Sequence, residues 1–307
     1  MKKSPIIAAA IAATIAGSTF AADTSIYGNM RLEVINATDL NMDSSKLVVG
    51  FKASEDMGNG MTGFVQLELE HDDANEEVSG WTNDKSFVGV KGDFGSVSFG
   101  AQKDAAGFAC GGTDIFTKVS GQACGAGAVN GTLNNALIYV GGTGDLTFVL
   151  AATLNGSADP TVDSDGDGDA GNDAEDQDGD NTIVAAKYAA DNFSVGFQMT
   201  SFDYVRGAES QSVIGGTYTI NDMQIGVTLA NDGNESATAI ALKMPLAGGT
   251  FKIGMDTGED AGVADTTHVQ FDKNLSKSVY TGVEFASIDG ADDDMIAGWI
   301  GDRKSVV

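Results

Sequence analysis

The segment Val88–Gln102 reads VGVKGDFGSVSFGAQ, and it sets the pattern for the rest of the chain. Apolar side chains alternate with small or polar ones on both sides of the tetrapeptide GDFG at 92–95. Alternation with a period of two is typical of a β-strand that has one apolar face. Gly and Asp favour tight turns. The segment therefore predicts a β-hairpin, with Phe94 at the boundary of an apolar environment.

The letters DFG within this hairpin also occur in protein kinases, in which the aspartate binds Mg²⁺. A kinase would in addition need a strand lysine in a V-A-I-K context and an H-R-D loop upstream. Neither is present, since His71 is followed by Asp72 and Asp73. No catalytic motif surrounds His71 or the other histidine, His268. We therefore expect no enzymatic activity and no catalytic residue.

The same alternation recurs along the chain. In Met223–Ala230 the odd-numbered residues are apolar, and the even-numbered ones are Gln, Gly, Thr and Ala. A transmembrane β-strand needs about 10 residues whose apolar side chains alternate toward lipid. Helical spacing is not sustained beyond the N-terminal segment. The pattern predicts sixteen strands, near 24–34, 44–53, 61–71, 85–91, 96–102, 134–141, 146–155, 181–189, 193–202, 211–220, 223–230, 237–245, 250–256, 265–274, 278–287 and 293–301.

The connections between these strands alternate in character. Short ones such as Asn221-Asp222 carry turn residues, and longer polar ones such as Gly156–Asp180 lie between them. Short turns at one end and long loops at the other are the pattern of an outer-membrane barrel. A soluble β-sandwich is the alternative, but Gln, Lys, Glu, Thr and Gly at inward positions suit a water-filled interior. We predict an all-β fold, a 16-stranded antiparallel transmembrane β-barrel.

The N-terminal residues 1–21 have two lysines, an apolar run and then small residues, which is the layout of a secretory signal peptide. The apolar run is too short to span about 30 Å of hydrocarbon. We expect cleavage after Ala21 and a barrel built from residues 22–301. Cleavage removes Lys2 and Lys3, which leaves 15 basic and 44 acidic residues and a net charge of −29. Such a chain repels nucleic acid and attracts cations.

Cys110 and Cys124 are the two cysteines of the chain. In an exported protein we expect them to form a disulfide that closes a small loop. Two free thiols are the alternative.

Two segments, SSKLVVGFKASEDMGNGMTGFVQLELEHD (44–72) and SFVGVKGDFGSVSFGAQ (86–102), resemble the trimeric general porins of Gram-negative bacteria. The similarity is to the branch that carries SR-x-GFKG-x-EDLG-G-A-FQLE and VGL-G-FG-V-LGR. The segment ADTSIYGNMRLEV (22–34) is also similar to theirs. From about residue 134 onward the resemblance rests on the alternating pattern rather than on motifs.

The resemblance implies a channel in the outer membrane through which small hydrophilic solutes and ions diffuse passively. It implies a homotrimer surrounded by outer-membrane lipid. It also implies that the third extracellular loop, Lys103–Leu133, folds into the barrel and narrows the pore. In the family, acidic groups of this loop face basic groups of the wall, and charges at a constriction select among ions.

Carrying the family's pattern over gives candidate pore residues. In the loop they are Asp104, Asp114, Lys118 and the disulfide of Cys110 and Cys124. On the wall they are Lys46, at the place of the family's SR arginine, and Arg31, Lys52, Lys187, Lys243 and Lys252 at inward positions. Each lysine is equally well read as a solvated wall residue. Where the family often has GRQ after the fifth strand, this chain has Gly100-Ala101-Gln102. The weaker basic wall and the negative net charge predict a preference for cations.

Residues 163–180 hold nine carboxylates. Their start, DSDGDG at 163–168, matches the D-x-D-x-D-G of a calcium-binding loop, but residue 174, where the bidentate Glu is expected, is Ala. Two interpretations stay open, a solvated acidic loop and a weak Ca²⁺ or Mg²⁺ site. If such a site were the working part, the chain would instead be an exported calcium-binding surface or adhesion β-protein. The candidate ligands are Asp163, Asp165, Asp167 and Asp169.

The chain ends in DRKSVV at 302–307, whereas the porins that it resembles end in an aromatic residue, usually Phe. The nucleotide sequence GATCGGAAGAGCGTCGTG, part of a common sequencing adapter, encodes the same six residues. We therefore expect residues 302–307 to be non-native, a hypothesis that any other codons at these positions would contradict.

Overall fold

The computed structural model describes residues 23–36, 39–71, 81–118, 124, 131–154, 181–202, 210–231, 233, 235–258, 264–291 and 294–306, without the side chains of 43–45 and 306. Within these residues, sixteen strands form one closed barrel. Each strand pairs antiparallel with its neighbours in sequence, and β1 pairs with β16. The strands are β1 Asp23–Asn36, β2 Leu40–Gly58, β3 Met61–His71, β4 Thr82–Gly92, β5 Gly95–Lys103, β6 Thr132–Thr143, β7 Leu146–Thr153, β8 Asn181–Ala189, β9 Phe193–Phe202, β10 Gln211–Ile220, β11 Met223–Asn231, β12 Ser236–Leu246, β13 Gly249–Gly258, β14 Thr266–Asn274, β15 Val279–Ile288 and β16 Met295–Val306.

The two faces of the barrel differ in polarity as the alternation predicts. In β11, Val227 and Leu229 are exposed on the outer face, whereas Gly226 and Thr228 are buried on the inner face. Large apolar side chains are exposed on the outside of the other strands except β14 in the same way. An apolar outer surface on a closed barrel suits the hydrocarbon of a membrane, because closure leaves no strand edge with unpaired backbone groups.

The predicted number, order and direction of the strands are confirmed. Several strands are longer than predicted, and the largest extensions are in β2 and β16. β2 runs over Leu40–Gly58 instead of 44–53. β16 continues to Val306 instead of ending at residue 301. β16 follows the length of β1, since Asp302–Val306 pair with Ile26–Met30. The start of β2 also pairs with β1, and its end pairs with β3. Backbone groups of a neighbouring strand offer partners beyond the part of the sequence that alternates clearly.

The hairpin at GDFG has the predicted form. β4 ends at Gly92 and β5 begins at Gly95, whose φ of 101° is readily adopted only by glycine. Asn221 and Asp222 connect β10 to β11 with φ values of 48° and 65°. Two successive positive φ values are the mark of a type I′ turn, whose twist matches that of the flanking strands.

The connection between β5 and β6 covers residues 104–131, which is shorter than the predicted loop Lys103–Leu133. The reason is that Lys103 still pairs with Thr132 in the β-ladder. The connection contains the single-turn helix α1, Gly107–Cys110. No helix in the described part of the chain is long and apolar enough to cross a membrane.

Candidate functional site

The inner segment, Asp104–Lys118, lies along the inner face of the barrel from β5 toward β15. Near its start, Ala105 and Phe108 pack on an apolar part of the wall formed by β6, β7 and β8. Helix α1 then packs on β10 and β11 through small side chains, including Ala109 and Cys110. Burial of this apolar surface holds the first half of the segment against one side of the wall.

Inward-facing glycines give the backbone of the inner segment room to approach the wall. A Cβ added at any of four wall glycines, on β9, β10, β11 and β13, would collide with the segment. The pairs are Gly196 with the Phe108 carbonyl, Gly215 with the Ala109 carbonyl, Gly226 with the Gly112 carbonyl, and Gly254 with the Phe116 ring. The path of the segment is therefore complementary to a groove that the wall leaves open.

Two buried polar side chains bind the end of the inner segment. Glu284 of β15 accepts hydrogen bonds from the backbone amides of Thr117 and Lys118 through one carboxylate oxygen, at 2.9 Å each. Gln270 of β14 accepts from the Thr117 amide at 2.9 Å and donates to the Thr117 hydroxyl at 2.8 Å. Hydrogen bonds to a carboxylate are charge-assisted and stronger than neutral ones. They fix the position of residues 117 and 118.

An ion pair adds to this attachment. The ammonium group of Lys118 pairs with Glu33 of β1, whose side chain is fully buried. The guanidinium of Arg31 lies 3.7 Å from the second carboxylate oxygen of Glu33. The resemblance implies acids on the loop facing bases on the wall, and at this contact the polarity is reversed. Two cations flank one carboxylate, which compensates the cost of burying its charge.

His268 of β14 lies between the inner segment and the wall. Its ring stacks on Phe116, with centroids 4.4 Å apart and planes inclined by 17°. Its Nε2 atom is 2.9 Å from Asp256 Oδ2, and its Nδ1 atom is 3.8 Å from Glu284 Oε1. Because His268 is fully buried beneath Phe116, the geometry suits a residue that positions the segment.

The two predicted loop acids lie at opposite ends of α1. Asp104 turns toward the wall, where it accepts hydrogen bonds from the Ala106 amide and from Gln198 Nε2, at 3.1 Å each. Burial raises the pKa of the Asp104 carboxyl above its usual value, and these hydrogen bonds act in the opposite direction. Asp114 follows α1, and its amide donates to the Cys110 carbonyl at 2.9 Å.

A disulfide joins Cys110 at the end of α1 to Cys124, with Cα atoms 5.8 Å apart. Both side chains are buried, and they belong to the apolar cluster that contacts Val213 and Ala230 of the wall. The disulfide therefore connects a later part of the β5–β6 connection to the part that packs on the wall.

The predicted wall residues lie on inner positions of strands, but they are spread around the barrel. Lys46 pairs with Glu70 at 2.6 Å. Lys52 lies over the ring of Tyr27, at 5.0 Å from its centroid. Arg31 is beside Glu33 and Lys118, as described above. These cations line the side of the barrel opposite α1.

The remaining predicted wall lysines are on the side of β8 to β14. Lys252 donates a hydrogen bond to the Ile115 carbonyl at 2.6 Å and pairs with Asp272 at 2.7 Å. Lys243 of β12 is directly opposite Lys252 in the ladder. Lys187 of β8 is opposite Gly196. Lys252 is thus the wall lysine of this group that contacts the inner segment.

A further charged cluster on the inner face has no counterpart in the sequence predictions. Lys85 pairs with Glu68 and with Asp84, the latter at 3.0 Å. Lys103 pairs with the other oxygen of Asp84 at 2.7 Å. Carboxylates therefore neutralise part of the basic charge next to β5, the strand that precedes the inner segment.

The predicted calcium ligands Asp163, Asp165, Asp167 and Asp169 lie outside the described residues. Among the residues that are described, no group of three or more His, Cys, Asp or Glu side chains has an arrangement that would hold a metal ion.

The residues that sequence reasoning missed are those that bind the inner segment, namely Glu33, His268, Gln270 and Glu284. Their positions in the alternating pattern place them on the inner face, so this part was readable. The sequence does not show which inward residues contact residues 104–118, because the partners are 85 to 167 positions apart in the chain. Inward glycines at 196, 215, 226 and 254 are the one sequence signal that marked the groove.

Comparison with protein families identifies the chain. The family model described as Gram-negative porin matches residues 8–293. The chain belongs to the Gram-negative porin family. This porin is accordingly a protein of the outer membrane, with the closed barrel and inner polar surface described above.

Curated relatives match the porin over part of its length. The major outer membrane protein P.IB of Neisseria meningitidis serogroup B is 34% identical over 116 residues, which are 33% of this chain and 33% of that protein. The protein of the same name from Neisseria gonorrhoeae is 34% identical over 115 residues, 33% of this chain and 32% of its own. The match thus spans about a third of the length of these relatives.

Solved structures share the fold over nearly the whole chain. OmpF of Salmonella typhi, solved in complex with daunomycin, is 14% identical with a TM-score of 0.74, covering 92% of this chain and 97% of its own. A loop L8 deletion mutant of OmpT, an outer membrane protein of Vibrio cholerae, is 17% identical with a TM-score of 0.66. The match covers 93% of this chain and 100% of that one. At these identities the likeness concerns the fold.

Proposed function

We propose that this porin is a channel for the passive diffusion of small hydrophilic solutes and ions, with a preference for cations. The observation that carries the proposal is the closed sixteen-stranded barrel with an apolar outer face and a polar inner face. Barrels of 16 to 18 strands are wide enough to leave an aqueous channel. The family and its fold are those of channels rather than enzymes, which supports the absence of catalysis.

The inner segment is the proposed constriction. It occupies space inside the barrel and is attached to the wall by packing, by hydrogen bonds to Glu284 and by the pair of Lys118 with Glu33. The passage for solutes then lies between the segment and the opposite wall, where Lys46 and Lys52 line the surface. A constriction fixed at several points keeps a constant width, which suits a permanently open channel.

The cation preference rests on charge. The chain without residues 1–21 carries a net charge of −29, and such a charge raises the local concentration of cations. On the inner wall, carboxylates pair with Lys46, Lys85 and Lys252. These pairs reduce the basic field that would favour anions.

We further propose that the protein assembles as a homotrimer through its apolar outer faces.

The test is planar-bilayer recording of the purified, refolded full chain. We expect stepwise, ohmic conductance in symmetric salt and, in a KCl gradient, a reversal potential whose sign indicates K⁺ over Cl⁻. A properly folded barrel without conductance would contradict the channel. A reversal potential of the opposite sign would contradict the cation preference alone, and chemical crosslinking of the detergent-solubilised protein tests the trimer.

A further inference from the structure

The charges of the connections are divided very unequally between the two ends of the barrel. In an up-and-down antiparallel barrel, the connections after odd-numbered strands start and end at one mouth, and those after even-numbered strands start and end at the other. We name the mouth of the odd-numbered connections the loop mouth, and that of the even-numbered connections the turn mouth. By sequence, the eight connections of the loop mouth hold 28 acidic and 2 basic residues, and most of these acids lie outside the described residues. The seven of the turn mouth hold 4 acidic and 1 basic residue.

The inner wall near the turn mouth carries a net positive charge, since the lysines and Arg303 outnumber the three inward acids there, Asp23, Asp56 and Asp272. Five lysines occupy inward positions in the halves of their strands that lead to this mouth. Two of them, Lys243 and Lys252, are direct neighbours across β12 and β13, and Lys252 also pairs with Asp272. The five are Lys52, Lys91, Lys187, Lys243 and Lys252.

Toward the loop mouth, the inward cations are matched by carboxylates. Lys46 pairs with Glu70 at 2.6 Å, and Lys103 pairs with Asp84 at 2.7 Å. Lys118 pairs with Glu33. The charge therefore changes along the axis from strands whose connections are strongly acidic, through a section of paired charges, to a section with a net positive charge.

We propose that this porin rectifies ion current, passing more current when the loop mouth is at positive potential than when it is at negative potential. The inference rests on the proposed channel function and adds a direction to it. With the loop mouth positive, cations enter from the acidic end, where they are concentrated, and anions enter from the lysine-lined end. Both carriers then accumulate inside and conductance rises. With the opposite polarity both are drawn out, and the interior is depleted.

The effect depends on salt in a defined way. Fixed charges act over a Debye length of about 30 Å at 0.01 M salt and about 3 Å at 1 M. At low salt the fields of the two ends therefore cover the whole pore, and at high salt they are confined to the wall. We expect a current ratio between the two polarities of about 2 at 0.01 M KCl, falling to about 1 at 1 M.

The experiment records single channels of the full chain at both salt concentrations and both polarities. Orientation is marked by Leu275→Cys, since Leu275 is exposed in the turn between β14 and β15 and both native cysteines are in the disulfide. After biotinylation of this thiol, streptavidin added to one compartment perturbs the current only if the turn mouth faces that compartment.

Two variants in which lysine is replaced by glutamine test whether rectification depends on the distribution of charge along the pore axis or on the total charge. Lys187→Gln with Lys243→Gln removes positive charge near the turn mouth, and we expect the current ratio at 0.01 M to fall toward 1. Lys46→Gln makes the same kind of change toward the loop mouth, and we expect the ratio to stay unchanged or to rise. Heat-dependent mobility in gels verifies that each variant is folded.

A ratio of 1 for the wild-type protein at 0.01 M, together with normal conductance at 1 M, overturns the proposal while leaving the channel intact. An equal loss of rectification in the double variant and in Lys46→Gln also overturns it, because the effect would then follow total charge. Absence of conductance at both salt concentrations contradicts the channel function itself.

Discussion

The carbonyl oxygen of Gly112 in the inner segment lies against the inner face of Gly226 on β11, in the space that a Cβ on Gly226 would need. The contact brings two backbones together without a side chain between them. Gly226 is followed around the wall by Ala241 and Gly254, its neighbours across β12 and β13. The wall is thus thinnest along the line that the inner segment follows, which makes the groove a feature of the strands themselves.

Replacing Gly226 by Val should push the inner segment away from the wall. Overpacking of a closely fitted site costs about 1–3 kcal/mol, and lifting residues near 112 relieves the clash without breaking the β-ladder. We expect a larger and noisier open-channel current in single-channel recordings, with the barrel still folded.

The matched control is Gly298→Val on the outer face of β16, where a Cβ meets only the Gly282 carbonyl at 3.8 Å. We expect its current to equal that of the wild type. If Gly226→Val folds and conducts like the control, the inner segment does not lie in the groove under recording conditions.

Replacing Lys118 by Met should weaken the attachment at the end of the inner segment. Glu33 is fully buried and, among the described residues, would keep only Arg31, at 3.7 Å, as a nearby cation. Removing one partner of a largely buried pair costs up to about 3 kcal/mol. We expect a lower urea midpoint of unfolding and more frequent current fluctuations.

A double-mutant cycle distinguishes the ion pair from other effects of the substitution. Glu33→Gln in the background of Lys118→Met should restore part of the lost stability, since it removes the uncompensated charge. Strictly additive losses would show that Lys118 and Glu33 are not coupled.

The sequence was sufficient for the barrel and insufficient for what the inner segment contacts. Strand number, order and inward parity follow from an alternation that is local in the chain, so Lys187 and Lys243 were placed on the inner face correctly. The attachment of Lys118 to Glu33 joins residues 85 positions apart. No local pattern encodes which strand a connection of 28 residues will reach, because many inward polar side chains are chemically equivalent partners. The acids of the loop likewise did not predict which groups face the passage, since Asp104 accepts a hydrogen bond from Gln198 of the wall.

Removing the disulfide should loosen the inner segment without opening the barrel. The two cysteines are 14 positions apart, and closing a loop of that size contributes about 3 kcal/mol in the chain-entropy picture. None of the sixteen strands includes either cysteine. For Cys110→Ser with Cys124→Ser we expect normal heat-dependent mobility of the barrel but increased current noise. A variant that fails to fold at all would show that the disulfide is needed before the strands assemble.

Calcium should reduce the proposed cation preference through the acidic segment at 163–180. Sites of this kind in extracellular modules bind at about 10⁻⁴–10⁻³ M, and a bound divalent ion lowers the local negative charge. We expect the shift in reversal potential on adding CaCl₂ to be smaller when the four aspartates of the D-x-D-x-D-G region are changed to asparagine. The matched control changes four acids of another loop-mouth connection to amides. The variant residues are Asp163, Asp165, Asp167 and Asp169, and the control residues are Asp72, Asp73, Glu76 and Glu77.

Lowering the pH should strengthen the contact between the start of the inner segment and the wall, through Asp104. Burial raises the pKa of this carboxyl in the folded protein, so the folded state favours the protonated form. The added stability is fully present below the unfolded pKa of about 3.9 and is lost as the pH rises through the folded pKa. We expect current noise that reflects movement of the segment to increase between pH 4 and neutral pH in the wild-type protein. The variant Asp104→Asn, which cannot ionise, should lack this component, and the difference between the two profiles removes the contributions of other titrating groups. Identical profiles would show that Asp104 does not control the contact with Gln198.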